Sequence, residues 1–170
     1  LTAALLEPGL TVLDLGSGAG FDCFIAAREV GEGGRVIGVN MTPEMIARAR
    51  TNAADQPNVK FRLGELEHLP VVDGTVDVIL SNCVVNLVPD KAQVFREAHR
   101  VLRTGGWLAI SDVVRVADFP PEILADDRSL SACISGAATV DEVTGYLREA
   151  GFDDIRVAVN ERSGEFIKDW

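Results

Sequence analysis

Short apolar runs alternate along the chain with segments whose apolar positions recur every three or four residues. The runs are TVLDL (11–15), RVIGV (35–39), VKFRL (59–63), VDVILS (76–81), WLAISDV (107–113) and DIRVAV (154–159). Their near-continuous Val, Ile and Leu suit strands buried on both faces. Strands that alternate with helical segments predict an α/β fold with a doubly wound, mostly parallel sheet. The helices carry their own punctuation. Thr42 precedes Pro43 as an N-cap before a proline at the first helical position, and that helix is expected through Ala53. Asp90 caps KAQVFREAHRVL, which Gly105 and Gly106 are expected to end. Thr139 and Glu142 form a capping box before VTGYLREA, with Gly151 at its C-terminal end.

Residues 1–170 form a single domain on this reading, without repeats or a low-complexity linker. The irregular stretch 117–138, with Pro120 and Pro121, is predicted to be a cap-like insertion above the strand ends. That is where open α/β sheets bind ligands.

Composition narrows the function classes. At 170 residues and 47% hydrophobic, the chain can bury one substantial core. No apolar run approaches the roughly 20 residues that a membrane span requires. The first residues lack the basic and apolar regions of a secretory signal. A net charge of −10 argues against a nucleic-acid surface and fits a protein acting on a small molecule. Cys23, Cys83 and Cys133 are odd in number and widely spaced. They make neither a disulfide framework nor a structural zinc site, so a cytoplasmic location is expected.

The turn after the first strand carries the most chemistry. LDLGSGAGFDC places glycines at 16, 18 and 20, with Phe21 and Cys23 where dinucleotide fingerprints would need glycine. No Gly-Lys-[Ser/Thr] follows, so a P-loop is excluded as well. The remaining pattern, D-x-G-x-G-x-G from Asp14 to Gly20, resembles the first motif of the class I S-adenosylmethionine-dependent methyltransferases. The resemblance implies a Rossmann-like fold and S-adenosyl-L-methionine as cofactor, cradled by Asp14, Gly16, Ser17, Gly18 and Gly20. The helix N-terminus would then face the methionyl carboxylate. Asn40, followed by Met41, stands where the family carries an acid for the ribose hydroxyls. In LGELEHLP, Glu65 and the Leu66 amide match the residues that meet the adenine, and Asn82 in DVILSNCV completes the set.

Each cysteine also has a reading of its own. Core packing is the expectation for Cys83, since free Cys is among the most buried residue types. Cys23 lies in the first turn of the helix, where the macrodipole lowers a thiol pKa, although Asp22 opposes this. With Cys133 from the irregular stretch, it would form a soft-ligand site. LDLGSGAGFDCFIAAREVG, SNCVVNLVPDK, VFREAHRVLRTGGWLAISDVV and CISGA together resemble the arsenite S-adenosylmethionine methyltransferases over nearly the whole chain. The resemblance implies that Cys23 and Cys133 bind trivalent arsenic, whose lone pair attacks the sulfonium methyl in line. Arsenite or a methylated arsenical would be the substrate, with a thiol reductant as co-reactant. His68 and His99 need no catalytic role.

Members of that family usually carry a longer N-terminal segment with another cysteine, a further cysteine after the one matching Cys133, and a seventh strand. The expectation is a piece of a longer protein lacking N- and C-terminal parts, with a sheet edge open to homodimerisation. Two other functions stay open on the residues alone. One is methylation of a small organic acceptor on carbon or oxygen, independent of the cysteines. The other is a cofactor-binding fragment without catalysis.

Overall fold

A computed structural model describes residues 6–115 and 136–159. Its elements run β1 (Thr11–Leu15), α1 (Phe21–Val30), β2 (Arg35–Asn40), α2 (Pro43–Asn52), β3 (Val59–Leu63) and β4 (Val76–Asn82). A 3-10 turn (Val85–Leu87), α3 (Lys91–Val101), β5 (Leu102–Ser111) and α4 (Val140–Ala150) follow. The five strands form one sheet in the order β3-β2-β1-β4-β5, and every pair is parallel.

Two-residue periodicity splits this sheet between two cores. Leu13 and Leu15 of β1, with Ile37, Val39 and Ile79, pack on the face that α3 covers through Val94, Ala98 and Val101. Val12, Val36, Val78 and Leu80 pack on the other face with Cys23, Ala26, Ala27 and Val30 of α1 and Ile46 and Ala49 of α2. Strands covered on both sides explain why their sequences lack the polar alternation of an exposed sheet.

The chain winds outward from β1 to β3, then crosses back to place β4 on the other side of β1. Loops leaving β1 and β4 therefore diverge to opposite faces and leave a crevice between them, the topological switch point. Leu15 pairs with Ser81 at this end, so the glycine turn and the residues after Ser81 share one edge of the sheet.

The caps form as the residues dictate. Asp90 accepts from Gln93 N at 2.9 Å, and Thr139 accepts from Glu142 N at 3.1 Å while Glu142 accepts from Thr139 N at 2.7 Å. Gly151 closes α4 in the left-handed conformation, φ 103°. Thr42 stands at the N-cap of α2 with Pro43 following, but its side chain makes no capping bond there.

Two expectations are corrected. Helix α3 ends at Val101 rather than at the glycine pair, because Leu102 turns extended and opens β5. Val76 pairs with Leu102 but Val78 with Trp107, so residues 103–106 bulge out of the ladder. Gly105 takes φ 78° there, and Asp77 holds the bulge by pairing with Arg103 while accepting from Thr11 N at 2.7 Å. The second correction is the sixth strand. Residues 154–159 join no ladder among the described residues; Asp154 turns left-handed at φ 47°, and Val157 and Val159 are exposed. An apolar run cannot make a strand without a paired edge. Most of the expected insertion at 117–138 lies outside the described residues.

Replacing Asp90 or Thr139 by alanine should each lower stability by about 1 kcal/mol. Urea unfolding should show this as a lower midpoint at an unchanged slope.

Candidate functional site at the switch point

The turn after β1 is fixed by two amides converging on one acceptor. Gly16 N and Ser17 N donate to Val39 O at 2.9 and 3.0 Å, which ties the turn to the end of β2. Gly20 N then donates to Ser17 O at 2.8 Å, and Gly20 caps α1 at φ 97° without a side-chain bond. The glycines divide the labour. A Cβ on Gly16 would lie 2.5 Å from Val84 Cγ2, so this glycine admits the β4 loop. Gly18, at φ 51°, has open space where its side chain would be. Beside it, the Ser17 hydroxyl is buried with no hydrogen-bond partner.

Asp14 is buried at 2% exposure and points to the α1 side of the sheet, where Cys23 Sγ donates to its Oδ2 at 3.3 Å. Burial pushes the Asp14 carboxyl up to about 7, against the lowering by the Cys23 bond. Cys23 itself has no exposed surface. Burial first, then the Asp14 charge and hydrogen bond, push its thiol far above the ordinary range. The lowered pKa expected from the helix dipole is therefore corrected. The sulfur faces inward among Val12, Ala26 and Val30 rather than out at the helix terminus.

Cys83 is the converse case. The expected core cysteine is exposed, one residue past the end of β4, and its backbone takes φ 50°. Its amide donates to Ser111 O at 2.9 Å, fixing the loop to the end of β5. Partial burial and the charge of Asp112 raise its thiol. Burial also raises Asp112, which accepts from Asn86 Nδ2 at 2.7 Å and Val113 N at 2.9 Å. Cys133 lies outside the described residues.

The remaining expected residues line the same edge. Asn82 Nδ2 donates to Asp22 Oδ2 at 2.8 Å, bridging the end of β4 to the first turn of α1. Asn40 accepts from Thr42 N through Oδ1 at 2.9 Å, which leaves its amide nitrogen to point elsewhere. Met41 is 71% exposed, Glu65 is exposed, and Leu66 is buried in the α3-side core. His99 packs edge-on against Phe152, 5.3 Å between ring centroids, in a structural role. Among the described residues no group of three or more His, Cys, Asp or Glu could hold a metal ion. No helix among them is long and apolar enough to cross a membrane.

Val84 and Asp112 are not marked by the sequence, and Asp22 is marked there only for its charge beside Cys23. The rule that open sheets bind ligands past the carboxyl ends of strands would have favoured Cys83, which directly follows β4.

A parallel sheet of this order with a D-x-G-x-G-x-G turn at its switch point is the architecture of a methyltransferase domain. A family model described as "Methyltransferase domain" matches residues 6–151, and the chain belongs to that family. The resemblance then becomes more particular. The chain is 59% identical to the arsenite methyltransferase of Halobacterium salinarum, over 98% of this chain and 43% of that protein. It is 38% identical to the arsenite methyltransferase of Homo sapiens, over 83% of this chain and 40% of that one. Among solved structures it resembles CrArsM, an arsenic (III) S-adenosylmethionine methyltransferase from Chlamydomonas reinhardtii. The TM-score is 0.78 at 35% identity, covering 95% of this chain and 60% of that one. The chain thus spans less than half the length of these two curated relatives.

Asp14 generates a pH dependence whose sign is fixed. Its folded pKa of about 7 lies above its ordinary 3.8, so between these values the folded chain holds the extra proton. Its contribution is fully present in acid and lost as pH rises through 7. Urea unfolding of the native chain and Asp14→Asn at pH 5 and pH 8 should show the native chain losing stability relative to the variant.

Proposed function

We propose that this domain binds S-adenosyl-L-methionine across the glycine turn and methylates trivalent arsenic held by cysteine thiolates. The observation carrying the reading is the position of Cys83. It is exposed at the end of β4, beside the glycine turn, and its neighbour Val84 lies directly over Gly16. The 59% identity to an arsenite methyltransferase across this chain supports the same chemistry.

The residues fit the cofactor. Gly18 leaves room for a ligand against the backbone, and the unpartnered Ser17 hydroxyl offers a polar contact there. Asp14 lies buried in the strand beneath, the Asn40 amide N–H would serve the ribose hydroxyls, and Glu65 with the Leu66 amide would serve the adenine. Exposed Met41 supplies apolar surface along the same edge. When bound, the sulfonium supplies an electrophilic methyl group.

The chain's own part is orientation. An arsenic(III) substrate carries its own lone pair, so no general base is needed and alignment supplies the rate. The reading joins Cys83 to Cys133 as the thiols that would fix the arsenic. It gives Cys23 the work of holding Asp14. A thiol reductant and a reducing cytoplasm complete the setting.

Arsenite-dependent methyl transfer by this chain should fall about a hundredfold or more in Cys83→Ser and in Cys133→Ser, and remain in Cys23→Ser. Mass spectrometry of methylated arsenic, with cofactor affinity measured in parallel, checks this. Loss only in Cys23→Ser would return the arsenic to that residue. Turnover on an organic acceptor independent of all three would replace the metalloid with a carbon or oxygen nucleophile.

A further inference from the structure

Helix α3 has a second face besides its apolar one. Gln93, Glu97 and Arg100 follow one another at spacings of four and three, which stacks them along a single stripe. All three reach the segment between β3 and β4, which has no ladder of its own to hold it. Gln93 Nε2 donates to Glu67 O at 3.0 Å, and Glu97 Oε2 accepts from Leu69 N at 2.7 Å. Arg100 donates to Leu69 O at 3.0 Å and to Val71 O at 2.9 Å. Its Nε and Nη2 also donate to the two Glu97 carboxylate oxygens, each at 2.7 Å, and Nη1 pairs with Asp73.

Every N–H of the guanidinium therefore has an acceptor, a load that only a planar fork can carry. The acceptors alternate along the loop at 67, 69 and 71, immediately after Glu65 and Leu66. Leu66, Leu69 and Val71 meanwhile bury their side chains in the core, so both sides of this strip are tied down. An ordinary surface loop needs no such hold.

We infer that Arg100 and Glu97, with Gln93, are positioning residues that clasp the 65–71 loop and thereby set the domain's selectivity for adenine. The inference rests on the reading of Glu65 and Leu66 as the adenine contacts. A carboxylate aimed at an exocyclic amino group accepts from adenine and opposes the carbonyl of hypoxanthine. Discrimination of this kind depends on where the loop stands, since an unpaired or misaimed polar group loses it.

The test is calorimetric titration of the full chain with S-adenosylhomocysteine and with S-inosylhomocysteine. Arg100→Lys, which keeps the charge but not the fork, should lower the adenosyl-over-inosyl preference about tenfold. Gln93→Ala should lower it a few-fold, roughly as expected for one neutral hydrogen bond, and it remains informative if the Arg100 variant does not fold. Equal weakening toward both ligands, or no change in either variant, overturns the clasp. Glu65→Gln separates the two readings. If it abolishes the preference while the clasp variants retain it, only the inference falls. If the preference survives Glu65→Gln, the adenine assignment falls and the inference with it.

Discussion

The site depends on one close approach, the Val84 side chain lying where a Cβ on residue 16 would be. Because Gly16 has no side chain, the loop leaving β4 can settle onto the turn leaving β1. Parallel pairing of Leu15 with Ser81 brings the two strand ends level, and the missing methyl lets them touch. The Asn82–Asp22 bond spans the same gap, and Cys83 emerges beside it. Without that approach the crevice would have two unrelated walls. With it, the glycine turn and the loop that carries the exposed Cys83 meet at one edge of the sheet.

Much of this was legible from the residues. The first four strands of the chain, the capping residues Asp90 and Thr139, and the glycine turn all depend on local chemistry, and the structure places them where local chemistry put them. What the sequence hid was tertiary. Whether a cysteine in the first turn of a helix faces out or in depends on which way that helix lies on the sheet. Cys23 lies on the covered side, against Asp14. Core packing is the expectation for Cys83 because free cysteine is usually buried, but the residue is exposed and its backbone turns left-handed. The β5 bulge was hidden because Gly105 and Gly106 read equally well as a helix stop. The 154–159 run shows that an apolar, strand-like sequence becomes a strand only where it pairs with a neighbouring edge.

Helix α3 illustrates how one short element serves two purposes. Val94, Ala98 and Val101 bury it on the sheet, while Gln93, Glu97 and Arg100 hold a neighbouring loop. The apolar stripe supplies the stability that makes the polar stripe rigid. Arg100 is only 31% exposed at its side chain, and its partner Glu97 only 13%. The pair therefore stands partly out of solvent, and its geometry is more sharply defined than that of a surface ion pair.

The left-handed backbone at Cys83 has an evolutionary consequence. A residue with a Cβ pays about 1–2 kcal/mol to sit there, a cost that glycine escapes and asparagine softens. Selection for stability alone would drift this position toward those two residues. The torsion angle at Cys83, φ 50°, thus marks a position where a side chain is carried at a cost in backbone stability.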